Sequence, residues 1–133
     1  MSDAIQVDIV TPEKKIFSEN NIFSVTVPGI EGDMGILHNH IPIITFLRPG
    51  TIQIQAQNKD SSFFISDGVL EFSNNVLTIL ASEIYDLATI DSNTIDKLKA
   101  ESKENMQKEN QSDNDIFLAS KFEEEVNGLT SAK

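Results

Sequence analysis

The chain has no cysteine, no tryptophan and a single tyrosine, Tyr85. Without cysteine there is no disulfide framework, no thiolate metal site and no thiol nucleophile. That composition fits a reducing compartment. With Tyr85 alone, an aromatic-lined groove for carbohydrate or peptide has little to be built from. Positive charge is also scarce: ten Lys and Arg stand against 21 Asp and Glu, a net charge of −11, and Arg48 is the only arginine. Nucleic-acid binding rests on clustered Lys and Arg, so this charge balance argues against it. An anionic membrane surface would repel such a chain, and any membrane association is expected to run through another protein. No apolar run approaches the roughly 20 residues that cross a bilayer. The opening Met1-Ser2-Asp3-Ala4 has neither the basic start and apolar block of a secretion signal nor the Arg-rich character of a transit peptide. The expectation is a soluble protein made where it works.

What is present suits one compact domain with a small appendage: 133 residues, 39% of them hydrophobic, with eight phenylalanines. Residues 4–88 carry the two-residue period of half-buried strands. Ile5, Val7 and Ile9 alternate with polar residues, as do Val25 with Val27 and Ile52 with Ile54. Phe63-Phe64-Ile65, Val69 to Phe72 and Val76 to Leu80 add further strands. Pro28-Gly29, Pro49-Gly50, Asn58-Lys59-Asp60, Asp67-Gly68 and Asn74-Asn75 supply the turns between them. About ten short strands in a sandwich or flattened barrel are predicted. From Asp91 the period changes to that of a helix. Asp91, Ser92 and Asn93 can each cap a helix carrying Ile95, Leu98 and Met106, with Glu104 and Lys108 as a favourable pair. After a polar break at Gln111 to Asp115, a second stripe joins Ile116, Ala119, Phe122, Val126 and Leu129. The pattern predicts an antiparallel two-helix hairpin over residues 89–133.

Several groupings invite a chemical reading. Gly29, Gly32 and Gly35 recur three apart in one loop. A phosphate cradle would continue into Gly-Lys-Ser/Thr, which is absent, so tight turns are the favoured reading. His38 and His40, near Glu31 and Asp33, could in principle ligate a metal. Asn39-His40-Ile41-Pro42 reads as a turn, however, and a turn or interface role for His40 is preferred. Arg48, before Pro49-Gly50, is either a bidentate interface contact or an ordinary strand end. The many carboxylates come with no nucleophile–base partnership, so no catalytic group, metal or cofactor is assigned.

The order of the segments is more specific than any one of them. Val10-Thr11-Pro12-Glu13 is followed by Phe17-Ser18, and then by Val27-Pro28-Gly29-Ile30-Glu31-Gly32-Asp33-Met34-Gly35-Ile36-Leu37. His40-Ile41-Pro42, Thr45, Leu47-Arg48-Pro49-Gly50-Thr51-Ile52, Gly68-Val69-Leu70-Glu71, Asn75-Val76 and Thr78-Ile79-Leu80-Ala81 come next. Together they resemble, in order and spacing, the epsilon subunit family of F-type rotary ATP synthases, whose mitochondrial counterpart is called delta.

The resemblance implies a non-catalytic rotor subunit of the central stalk. Its sandwich, residues 1–88, would bind the gamma subunit and stand on the ring of c subunits, coupling proton-driven rotation to the catalytic head. It implies Glu31, Asp33 and His40 as interface residues, to which the lone Arg48 is added as a candidate contact, and a peripheral place on the cytoplasmic face of a bacterial inner membrane or on an organelle inner or thylakoid membrane. In many members the helices reach the alpha and beta subunits of the head and regulate hydrolysis. Ile95-Asp96-Lys97-Leu98-Lys99-Ala100 resembles the segment where some members bind ATP, with Lys99 where those members have arginine. A lysine does not reproduce arginine's planar fork of donors. The alternatives are a nucleotide-sensing module acting through the hairpin and a generic β-sandwich binding domain.

Overall fold

The computed structural model describes residues 4–57, 59–107 and 111–129. The predicted Glu104–Lys108 pair and the start of the Asn58 turn lie outside the described residues. Nine strands precede two helices: β1 Ile5–Val10, β2 Lys15–Gly29, β3 Gly32–Leu37, β4 Ile43–Leu47, β5 Gly50–Ala56, β6 Ser61–Ile65, β7 Gly68–Ser73, β8 Val76–Ala81, β9 Ile84–Asp86, α1 Ser92–Met106 and α2 Asp113–Asn127. A β-sandwich followed by a helical hairpin is the class the sequence predicts, with nine described strands where about ten were expected.

The count falls short partly because β2 is one long strand serving both layers. Its first half, Lys15 to Ile22, pairs antiparallel with β1; its second half pairs with β3 along one edge and β5 along the other. One layer runs β1–β8–β7–β4 and the other β3–β2–β5–β6–β9. The Gly29–Leu47 pair closes the corner between β2 and β4. β1 and β8 are parallel, and every other pairing is antiparallel. Between β7 and β8, Asn74 and Asn75 both have positive φ, at 50° and 61°. A two-residue hairpin of the primed type needs that geometry, and asparagine tolerates it better than most residues.

The alternating residues meet in the middle. Val7, Ile9, Val25, Val27, Ile52 and Ile79 are fully buried in one cluster between the layers. A second, smaller cluster lies outside the sandwich: Phe64 from β6 with Ile90, Ile95, Leu98, Phe122 and Val126, flanked by Tyr85, Leu87 and Leu129. Phe64 faces the helices because its neighbours Phe63 and Ile65 take the inward positions of β6. It packs against Phe122 and Tyr85 at centroid distances of 6.0 and 6.3 Å. Desolvation, with Glu83 and Glu101 nearby, pushes the Tyr85 phenol up to about 12.

The first helix start is capped as the sequence suggests. Asp91 accepts from the Thr94 N–H at 2.8 Å. Ser112 and Asp115 form a reciprocal capping box. The stripes need two corrections. Ile116 is half exposed, because it sits about 100° round the helix from the mean direction of Ala119, Phe122, Val126 and Leu129. Met106 is exposed in the last turn of α1, and the buried residue extending that stripe is Ser102.

Ser102 Oγ is buried with no hydrogen-bond partner. Such a hydroxyl costs about 1–3 kcal/mol of desolvation. Ser102→Ala is therefore expected to stabilise the hairpin by about 1 kcal/mol. Slower amide exchange across α1 and α2 would show this; faster exchange would contradict it.

Candidate docking surface

The β2–β3 turn is the sharpest feature of the sandwich. Gly29 pairs with Gly32, leaving Ile30 and Glu31 at the exposed tip. A Cβ on Gly29 would meet the Gly32 carbonyl oxygen at 2.6 Å, and Gly32 has φ of 140°. Glycine is required there by the turn itself, which supports the turn reading over a phosphate cradle. Asp33 follows on β3, exposed, and accepts a 2.6 Å charge-assisted bond from Arg48 Nη2.

Arg48 follows β4 directly. Its backbone N–H donates to the Pro28 carbonyl at 2.9 Å, and its side chain is only 11% exposed. Besides Asp33, the guanidinium donates to Glu125 of α2 at 3.3 Å and to the Pro49 carbonyl at 3.2 Å. In this structure both of its Nη atoms are therefore engaged within the chain. Glu31, Asp33 and Arg48 come together at one corner of the sandwich. His40 is at the other end of β4, in the loop before it. Its Nδ1 lies 2.7 Å from the Ile41 carbonyl, and its ring packs edge-on against Phe72 at 5.8 Å. Among the described residues, no group of three or more His, Asp and Glu could hold a metal ion. Asp96 and Lys99 are both exposed on α1, while their neighbours Ile95 and Leu98 are buried.

A larger surface joins the two ends of β4. Ile44 and Phe46 are 71% and 66% exposed. Phe46 pairs with Val69 and Val69 with Leu80, so the three stand in a row across β4, β7 and β8 on the outer face. Pro12, Ile30 and Leu118 of α2 extend this row into a shallow apolar cleft of about 610 Å³. A contiguous exposed apolar face of this kind marks an interaction site. Sequence reasoning missed it, since β4 has no alternation to reveal a strand. The available signal was the unbroken run Ile41-Pro42-Ile43-Ile44-Thr45-Phe46-Leu47: a short strand that is apolar on both faces needs cover on both.

Comparison with known proteins agrees with this architecture. Residues 4–86 match the family model for the ATP synthase, Delta/Epsilon chain, beta-sandwich domain. The ATP synthase epsilon chain of Pelagibacter ubique (strain HTCC1062) is 38% identical over 118 residues, covering 89% of this chain and 91% of that one. The epsilon chain of Maricaulis maris (strain MCS10) is 35% identical over 126 residues, covering 92% and 94%. Among solved structures, a chain of the Euglena gracilis mitochondrial ATP synthase, from its OSCP/F1/c-ring structure, superposes with a TM-score of 0.72 at 21% identity, covering 97% of this chain and 81% of that one. A chain of the Tetrahymena thermophila mitochondrial ATP synthase central stalk/c-ring superposes with a TM-score of 0.60 at 15% identity, covering 92% and 91%. At those identities the structural likeness speaks for the fold alone.

Proposed function

The chain belongs to the ATP synthase delta/epsilon chain family, and from that premise we propose that it is a non-catalytic central-stalk subunit, clamped to the gamma subunit and the c ring. The observation that carries this reading is its 38% identity to an epsilon chain over 89% of its own length. The physical support is a closed sandwich with an uncovered apolar face. A body that passes torque between two rotating parts must not deform, and closure of the sheet through β2 favours that. The face of Ile44, Phe46, Val69 and Leu80 provides the apolar centre of a docking interface. Glu31, Asp33 and His40 supply polar groups at its ends, and Arg48 holds Asp33 in place. Residues 1–88 act as the docking unit and 89–133 as the hairpin. No described helix is long and apolar enough to cross a membrane. Association with the membrane, at the cytoplasmic face of a bacterial inner membrane, then runs through the c ring. The test is co-purification of the tagged chain with gamma and c subunits from its own cells. A synthase that assembles without the chain bound would refute the reading.

Regulation by the hairpin is expected to be weak. Residues 91–133 hold six lysines against ten acids, a charge of −4. On α2, Lys121 is within 3.7 Å of Glu124 and lies over the Phe117 ring, so little positive charge is presented. The resemblance implies that inhibition brings basic helices against acidic loops of the catalytic head; this surface would be repelled, by an amount salt partly screens. Removing residues 90–133 is expected to change ATP hydrolysis by the complex less than about two-fold at low salt. A several-fold rise would contradict the charge reasoning.

A further inference from the structure

The guanidinium of Arg48 sits where three parts of the chain meet. Its backbone is tied to the end of β2 through Pro28, Nη2 is bonded to Asp33 on β3, and Nη1 to Glu125 on α2. The fit is close: a Cβ on Gly50 would come within 2.6 Å of the Pro28 side chain and 3.0 Å of Nη1. The cation is thus fixed in position, with its side chain 11% exposed. Its two carboxylates are less confined, with side-chain exposures of 67% for Asp33 and 34% for Glu125.

One immobile cation shared by two anions couples them with a definite sign. Each carboxylate screens the positive charge that attracts the other, and the two anions repel. Asp33, at 2.6 Å, takes the larger share, and Glu125, at 3.3 Å, takes what remains. If Asp33 is drawn away or neutralised, the packed Arg48 side chain cannot follow it, and more of its charge falls on Glu125. We propose that Arg48 is a relay between the β2–β3 turn and the helical hairpin: engagement of Asp33 by a cationic group of a docking partner tightens the sandwich's hold on α2. The docking reading above supplies the partner, but the relay is a property of the chain alone.

The test uses the isolated full-length chain, so its outcome does not depend on assembly. Amide exchange is followed by mass spectrometry in α2 peptides, with β7 and β8 peptides as an internal control, for wild type, Asp33→Asn, Glu125→Gln and the double variant. Glu125→Gln should speed exchange in α2 about three-fold, the scale of a partly exposed ion pair. Asp33→Asn should slow it about two-fold, and high salt should shrink both effects. The double variant should match Glu125→Gln alone, since the influence of Asp33 passes through the Arg48–Glu125 contact. Three results would each overturn the relay: faster α2 exchange in Asp33→Asn, no change in Glu125→Gln, or an Asp33→Asn effect that survives in the Glu125→Gln background.

Discussion

Phe64→Ala is expected to release the helical hairpin while the sandwich stays folded. Phe64 is the residue that the described sandwich strands β1–β8 contribute to the helix-side cluster, and it is fully buried there. Its ring meets Phe122 on one side and Tyr85 on the other. Truncating a buried phenylalanine costs about 3–5 kcal/mol. The loss falls on a small cluster. Ile95 and Leu98 of α1, with Phe122 and Val126 of α2, hold two fifteen-residue helices whose ordering carries a large entropy cost. The inter-layer core has no share in Phe64 and keeps its contacts. Amide exchange in α1 and α2 should therefore accelerate by about a hundred-fold or more, while β7 and β8 keep their protection. A chain ended after Thr89 should likewise stay folded, with Phe64, Tyr85 and Leu87 newly exposed. Loss of the sandwich in either variant would show that the two clusters fold as one unit.

The second large effect is expected on the outer face of β4. Ile44→Asp combined with Phe46→Asp should weaken binding to the gamma subunit by about a hundred-fold or more, since an anchor such as Phe46 at an interface centre carries about 2 kcal/mol or more and each new carboxylate would be desolvated without a partner. The folded chain should hardly notice, because both side chains are largely in solvent and their strand is secured by Leu47 and its pairing with β7. Gln53→Asp, on the exposed face of β5, serves as the control and should bind normally. Binding by titration calorimetry, beside thermal unfolding of each variant, separates interface from fold. Undiminished affinity in the double variant would place the docking face elsewhere.

Much of what depends on near neighbours was legible along the chain. Two-residue alternation specified β1, the second half of β2 and β5, because a half-buried strand must place apolar side chains on one face. Gly29 and Gly32 specified the sharp turn, since a Cβ would strike backbone or demand an unfavourable φ. Asp91 marked the first helix start, because its side chain reaches an amide only three residues ahead. The family, too, was legible in the order of short motifs along residues 5 to 90. Folding alone set β2 in both layers, turned Phe64 toward the helices, left Ile44 and Phe46 of β4 uncovered, and put Arg48 between Asp33 and Glu125. Residues 48 and 125 are 77 positions apart. Local periodicity says which face of an element is apolar, but not which other element will cover it. That choice is made when the whole chain collapses and each buried charge or ring must find a partner among everything brought near it.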